Sequence, residues 1–148
     1  MKYLLCIGAL LTLLACGENT GTESQPRLED FRGQWVVINY WAQWCAPCIK
    51  EIPELNTLDA QYAQVTVLGV NYDGASGAEL EQQRRQLGVT FASLEADPAA
   101  QLGTPRPVVL PTTLILDPAG QLVTTLVGPQ TLESLVQATG QAVQEVEQ

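Results

Sequence analysis

Apolar residues run almost unbroken from Trp35 to Trp41 (Trp-Val-Val-Ile-Asn-Tyr-Trp), the pattern of a strand buried on both faces. Beyond it, Ile52, Leu55, Leu58 and Tyr62 recur at helical spacing, and Val65 to Val70 reads as a second buried strand. Strand, helix and strand in that order predict a parallel, right-handed βαβ unit. Ser76-Gly77-Ala78-Glu79 has the spacing of a capping box and predicts a second helix ending near Gly88. Asp97 followed by Pro98 predicts an N-cap and first-turn proline for a short helical piece ending before Gly103. Thr112 to Leu116 and Leu122 to Val127 flank Asp117-Pro118-Ala119-Gly120, a turn sequence that predicts a hairpin. Leu132, Leu135, Val136, Val143 and Val146 give a last helix one apolar face, with Thr131 as its N-cap.

A βαβ unit followed by a ββα unit is the thioredoxin arrangement. The expected fold class is therefore α/β, a central mixed sheet flanked by helices. The stretch from about Tyr72 to Gly103 exceeds the minimal fold and is read as an inserted helix with a short strand.

The first residues follow a different pattern. Met1 and Lys2 precede an apolar stretch from Tyr3 to Leu14, too short for a bilayer span of roughly 20 residues. It has the form of a secretory signal and ends in Leu13-Leu14-Ala15-Cys16, which resembles the bacterial lipobox. Residues 1–15 are thus expected to be a lipoprotein signal peptide. Residues 16–26 would be the lipidated Cys16 with a polar tether, and residues 27–148 the folded domain. An ordinary signal cut near Ala15, or an uncleaved N-terminal helix, are the alternatives. The tether would keep the domain beside the membrane, facing the periplasm or extracytoplasmic space. Gly17 stands where inner-membrane lipoproteins often carry Asp, which by that resemblance points to the outer membrane.

Composition narrows the chemistry. The formal net charge of -9 leaves no basic cluster to neutralise phosphates, so nucleic acid is not an expected partner. The chain has no histidine, which removes Ser-His and Cys-His catalysis together. Cys6 would leave with the signal and Cys16 would carry lipid, so Cys45 and Cys48 remain. Two cysteines without histidine cannot build a structural zinc site, which takes four N/S ligands, and no metal is expected.

Trp44-Cys45-Ala46-Pro47-Cys48 falls between the first strand and the first helix. Cysteines three apart at a helix start can bring their sulfurs together with little backbone movement. At a helix N-terminus the free N–H groups and the macrodipole favour the Cys45 thiolate, the form that attacks a disulfide. Pro47 suits the first helical turn, where a missing N–H costs nothing. The expected cycle has Cys45 attack a substrate disulfide and the more buried Cys48 resolve the mixed disulfide. An inert structural disulfide is the competing reading.

With those residues in view, the chain resembles the TlpA/ResA group of membrane-tethered bacterial thioredoxins from about Leu28 to Leu135. The resemblance rests on Val37 through Cys48, on Glu51-Ile52-Pro53, and on Leu110-Pro111-Thr112-Thr113-Leu114-Ile115-Leu116-Asp117. It implies a thiol–disulfide oxidoreductase that needs no organic cofactor beyond its own Cys45–Cys48 disulfide. Pro111 matches the family's cis-proline, near which backbone pairs with substrate. From sequence alone Leu110–Pro111 would be trans, since about 5–6% of X-Pro bonds are cis. Trp44, Ala46, Pro47, Leu110 and Pro111 are accordingly the expected substrate-binding residues. Glu51 matches the family's active-site acid; if buried, its pKa should rise and it could exchange a proton with the thiols. The alternative is an exposed first-turn Glu that favours the helix dipole. Asn39 stands where cytosolic thioredoxins carry a buried Asp, and an amide cannot relay a proton by ionising. Pro53 lies inside the helix and should kink it.

The family usually works as a reductase of exported proteins, supplied by a membrane thiol transporter of the DsbD/CcdA type. Ala46-Pro47 lacks the histidine found between the cysteines of the strong oxidant DsbA. The gap between thioredoxin and DsbA, about 150 mV or roughly 7 kcal/mol, shows what such a dipeptide can control. Pro111-Thr112 replaces the Pro-Glu of thioredoxins dedicated to cytochrome c maturation, which favours a general reductase. An oxidase or isomerase with the same residues, and a binding module braced by the disulfide, are the other two hypotheses. Isomerases are usually dimers, and the expectation here is a monomer. The Pro-x-x-x-Thr-x-x-Cys pattern of peroxiredoxins is absent.

Overall fold

The computed structural model describes residues 26–142. The expected signal segment, Cys16 and all of the tether except Pro26 lie outside the described residues. A sheet of five strands carries the fold: β1 (Trp35–Trp41), β2 (Val65–Asn71), β3 (Ala92–Ser93), β4 (Thr112–Leu116) and β5 (Leu122–Val127). Their spatial order is β3-β2-β1-β4-β5. β1 runs parallel to β2 and β2 to β3, whereas β4 is antiparallel to both β1 and β5. This is the mixed sheet expected of a thioredoxin fold.

α1 (Ala46–Gln61) connects β1 to β2, and α2 (Gly77–Leu87) connects β2 to β3. Ile52, Leu55, Leu58 and Tyr62 of α1 pack with Val37, Val67 and Ile115 of the sheet and with Leu135 and Val136 of α3 (Leu132–Ala138). Pro53 lies on the exposed side of α1, and the helix runs through it. The opposite face buries Val36, Ile38, Tyr40, Leu68, Val70, Leu114 and Leu116. Among the described residues, no long helix covers that face. Leu28 and Phe31 of a short 3-10 turn (Leu28–Phe31) close it together with Leu94, Leu102 and Leu110 from the irregular chain before β4. Alternation along β1 therefore sends Asn39 toward the helices and Tyr40 toward this loop layer.

Three local expectations need correction. Ser76 precedes α2, but its side chain makes no capping bond. Gly77, the first residue of α2, has φ +53, outside the helical range, so the Ser76 hydroxyl is not aligned over the Glu79 amide. Asp97 does accept from the Ala99 N–H at 2.9 Å, yet the chain after it forms turns and no helix, with Leu102 N–H on the Pro98 carbonyl at 3.0 Å and Thr104 N–H on the Ala99 carbonyl at 3.0 Å. Gly103 at φ +66 and the prolines at 105 and 107 prevent a helix from continuing. α3 is capped by Thr131 as expected, with the Ser134 N–H on its hydroxyl at 3.3 Å, but it ends at Ala138. The Thr139 hydroxyl takes the Leu135 carbonyl at 2.9 Å, and Gly140 turns the chain at φ +63. Val143 and Val146 lie outside the described residues. The expected inserted helix and short strand correspond to α2 and β3. Asn56 of α1 ties the link between them down, donating to the Gly88 carbonyl at 2.8 Å and accepting from the Thr90 N–H at 3.0 Å.

Candidate active site

Cys45 is the N-cap of α1, and its sulfur accepts from the Cys48 N–H at 3.3 Å. This amide is one of the unpaired donors at the helix start, so the polarity that would favour a thiolate is present at the sulfur itself. Cys45 and Cys48 are joined in a disulfide with Cα atoms 5.3 Å apart. Cys48 is fully buried, and Cys45 is 3% exposed. Ala46 and Pro47 lie exposed between them in the first helical turn. Cys45, the expected nucleophile, is thus flanked by accessible residues, while Cys48 lies in the core.

Both cysteines belong to a small apolar cluster with Trp41, Ala42 and Leu80, against which Leu110 packs. The Leu110–Pro111 peptide is cis, and Pro111 is buried where β4 begins. The Pro111 carbonyl accepts from the Gly128 N–H at 2.9 Å, which pins this turn to the end of β5. Trp44 projects outward, 66% exposed, and its indole N–H donates to Asp73 at 2.9 Å. Its ring is held by the loop after β2 and is not part of the cluster that buries the sulfurs.

Glu51 stands one turn after Cys48 on the buried side of α1, only 2% exposed. Burial raises its pKa above the ordinary carboxylate value, and two hydrogen bonds partly oppose that rise. They come from the Gln130 N–H, at 2.8 Å to Oε2, and from the Asn39 amide, at 2.6 Å to Oε1. The condition attached to Glu51 in the sequence, that it be buried, is met. Asn39 is fully buried and also donates to the Thr113 hydroxyl at 3.1 Å. Sequence reasoning set Asn39 aside because it does not ionise, and did not foresee that it touches Glu51. The available signal was its place in an apolar strand, where a buried amide must find partners.

Cys16 lies outside the described residues. Cavities of about 400 and 300 Å³ open on the loop layer, around Leu94 and Asp97, and neither is lined by Cys45 or Cys48. The Cys45–Cys48 disulfide lies apart from these two cavities, beside the exposed Ala46 and Pro47.

Comparison with known proteins agrees with this geometry. The AhpC/TSA family matches residues 14–125. The "Thiol-disulfide oxidoreductase ResA" of Geobacillus thermodenitrificans is 33% identical over 113 residues, covering 75% of this chain and 64% of that protein. The "Thiol:disulfide interchange protein HelX" of Rhodobacter capsulatus is 33% identical over 120 residues, covering 77% and 64%. The chain therefore spans just under two thirds of the length of these relatives. Among solved structures, a DsbF homologue from Corynebacterium diphtheriae superposes with a TM-score of 0.64 at 30% identity, covering 75% of this chain and 73% of that one. StoA from Bacillus subtilis gives 0.59 at 25% identity, covering 72% and 83%.

Proposed function

The chain belongs to the AhpC/TSA family, among its ResA-like thioredoxin-fold members, and on that premise we propose that it is a thiol–disulfide oxidoreductase working as a disulfide reductase on exported proteins. One observation carries the reading: a disulfide at the head of α1 whose outer sulfur caps the helix, beside a cis-proline turn.

The residues divide the work as follows. The Cys45 thiolate attacks one sulfur of the substrate disulfide; that S–S bond breaks, a mixed disulfide forms, and a substrate thiolate leaves. Glu51, as carboxylate, takes the proton of the Cys48 thiol. The Cys48 thiolate then attacks the Cys45 sulfur and releases the second substrate thiolate, leaving the Cys45–Cys48 disulfide. Two electrons pass from the dithiol to the substrate, and the departing thiolates take up protons. A separate dithiol donor, of the membrane DsbD/CcdA type, returns the pair to its reduced form. The cycle uses no organic cofactor. Trp44, Ala46 and Pro47 border the nucleophile, and Leu110 and Pro111 offer the backbone against which an extended substrate would lie. A lipid on Cys16 would hold the domain at the membrane on the extracytoplasmic side, as a monomer. No helix among the described residues is long and apolar enough to cross a membrane.

Replacing Cys45 with Ser should abolish reduction of a small disulfide substrate; retained turnover would refute an enzymatic pair. The equilibrium reduction potential decides direction. A value around -250 mV or lower supports the reductase, whereas one around -120 mV makes the protein a donor of disulfides.

A further inference from the structure

The face of β1 that meets α1 carries one uncharged amide, Asn39, between Val37 and Trp41. It is fully buried. Its Nδ2 donates to Glu51 and to Thr113, and its Oδ1 meets no donor. A leucine would fill similar space without a dry lone pair, so packing alone does not account for an amide here.

The surroundings of Glu51 show what the amide does. On α1, the ionisable residues nearest in sequence are Lys50, which is exposed, and Glu54, whose Oε2 accepts from the Leu132 N–H at 3.0 Å, while Cys45 and Cys48 are joined in a disulfide and do not titrate. β1 contributes Asn39, β4 contributes Thr113, and the turn before α3 contributes the Gln130 N–H; all are uncharged. Among the described residues, no cation is paired with the carboxylate. Its charged form depends on two N–H donors, and its neutral form needs an acceptor. Among the described residues, Asn39 is the one side chain bonded to Glu51 that offers both.

Taking Glu51 as the group that holds the proton in the reading above, we propose that Asn39 is a positioning residue that accommodates both of its forms. The NH2 group faces Glu51 as carboxylate. When Glu51 carries the proton, the amide turns over, Oδ1 accepts from the carboxylic O–H, and the Thr113 hydroxyl changes from acceptor to donor. These exchanges reuse the same heavy-atom contacts. An Asp in this place would compete with Glu51 for the proton, and an apolar residue would leave it with one partner.

The test is an NMR titration of the Glu51 carboxyl in the oxidised full-length protein, assigned with Glu51→Gln. In Asn39→Leu both forms of Glu51 lose a partner, but the bond to the carboxylate is charge-assisted and the stronger of the two, so the midpoint should rise by about one pH unit, a tenfold gain in proton affinity. In Asn39→Asp the single step should become two, as for a coupled pair of acids. Thr113→Val should move the midpoint less, because both donors to Glu51 remain. In the wild type, the side-chain amide protons of Asn39 should titrate with the Glu51 midpoint. If a folded Asn39→Leu titrates within about 0.2 pH unit of wild type, the proposal is overturned. If that variant does not fold, one unshifted Glu51 step in Asn39→Asp overturns it instead. Disulfide exchange in the wild type is measured alongside. Exchange with an unmoved titration defeats this inference alone, and a shifted titration without exchange defeats the oxidoreductase reading while leaving the amide's role intact.

Discussion

Asn39 and Tyr40 are consecutive residues of β1 on opposite faces of the sheet, and each is bonded to a carboxylate. On the helix side, Glu51 receives only neutral donors, and burial pushes its pKa up. On the loop side, Asp97 would also be raised by burial, but more is set against it. It accepts from the Tyr40 hydroxyl at 2.7 Å and from the Ala99 N–H, and Arg106 binds it through Nε at 2.7 Å. These bonds and the guanidinium charge bring its pKa below the ordinary value. Arg106 in turn stacks over Tyr72, 4.0 Å from the ring centroid. Tyr40, buried and bonded to Asp97, has its own pKa driven well above the usual tyrosine value. The two carboxyl groups are thus shifted in opposite directions, Glu51 up and Asp97 down. The difference lies in the partners: Asp97 gathers the Tyr40 hydroxyl, the Ala99 N–H and the Arg106 guanidinium, whereas Glu51 has two neutral N–H donors.

The largest expected effect that would sharpen this contrast is on the Asp97 cluster. Asp97→Ala leaves the buried Tyr40 hydroxyl without its acceptor and removes the bond to Ala99 N–H. A loss of roughly 2–3 kcal/mol in urea unfolding is expected, with disulfide exchange unchanged in the folded fraction. A fall in exchange beyond the loss of folded protein would break the division of labour.

The pH dependence of stability should differ in sign between the two acids. Glu51 has a raised folded pKa, so the native state holds its proton more tightly, and stability falls as pH rises from the ordinary carboxyl range through the Glu51 value. Asp97 has a lowered one, so its contribution is present at neutral pH and is lost as pH falls from the ordinary range through its folded value. Glu51→Gln should therefore gain on wild type as pH rises, by about 1.4 kcal/mol for each unit by which the Glu51 pKa is raised. Denaturant midpoints across pH would show this, and parallel curves for the two proteins would contradict it. Tyr40→Phe should do least, about 1 kcal/mol, because Asp97 keeps Ala99 and Arg106. A larger loss in thermal unfolding would make the hydroxyl, and not the cation, the centre of that cluster.

The helix side was far more legible than the loop side. β1, β4 and β5 were bounded by residue, because apolar runs and the Asp-Pro-Ala-Gly turn are local signals. The turn is closed as expected, with the Gly120 N–H on the Asp117 carbonyl at 2.7 Å. The Cys45–Cys48 pair was visible for the same reason, since its spacing and the helix start belong to one stretch of chain. Asp97 was read as a cap, and it is one, but its bonds to Tyr40 and Arg106 join residues 57 and 9 positions away. Arg106 carried no local pattern that could single it out. The capping box at Ser76 failed because one backbone angle at Gly77 overrides the residue spacing.

By itself, the sequence determined the order of elements, the Cys45–Cys48 pair and its place at a helix N-terminus, because hydrophobic periodicity, capping and Cys spacing act over a few residues. Tertiary structure alone decided which polar groups meet. Asn39 and Glu51 are 12 positions apart, and Asn39 and Thr113 are 74 apart. Whether a carboxylate faces an amide, as Glu51 does, or a guanidinium, as Asp97 does, depends on which chain segments the fold brings against it, and local sequence signals do not reach that far.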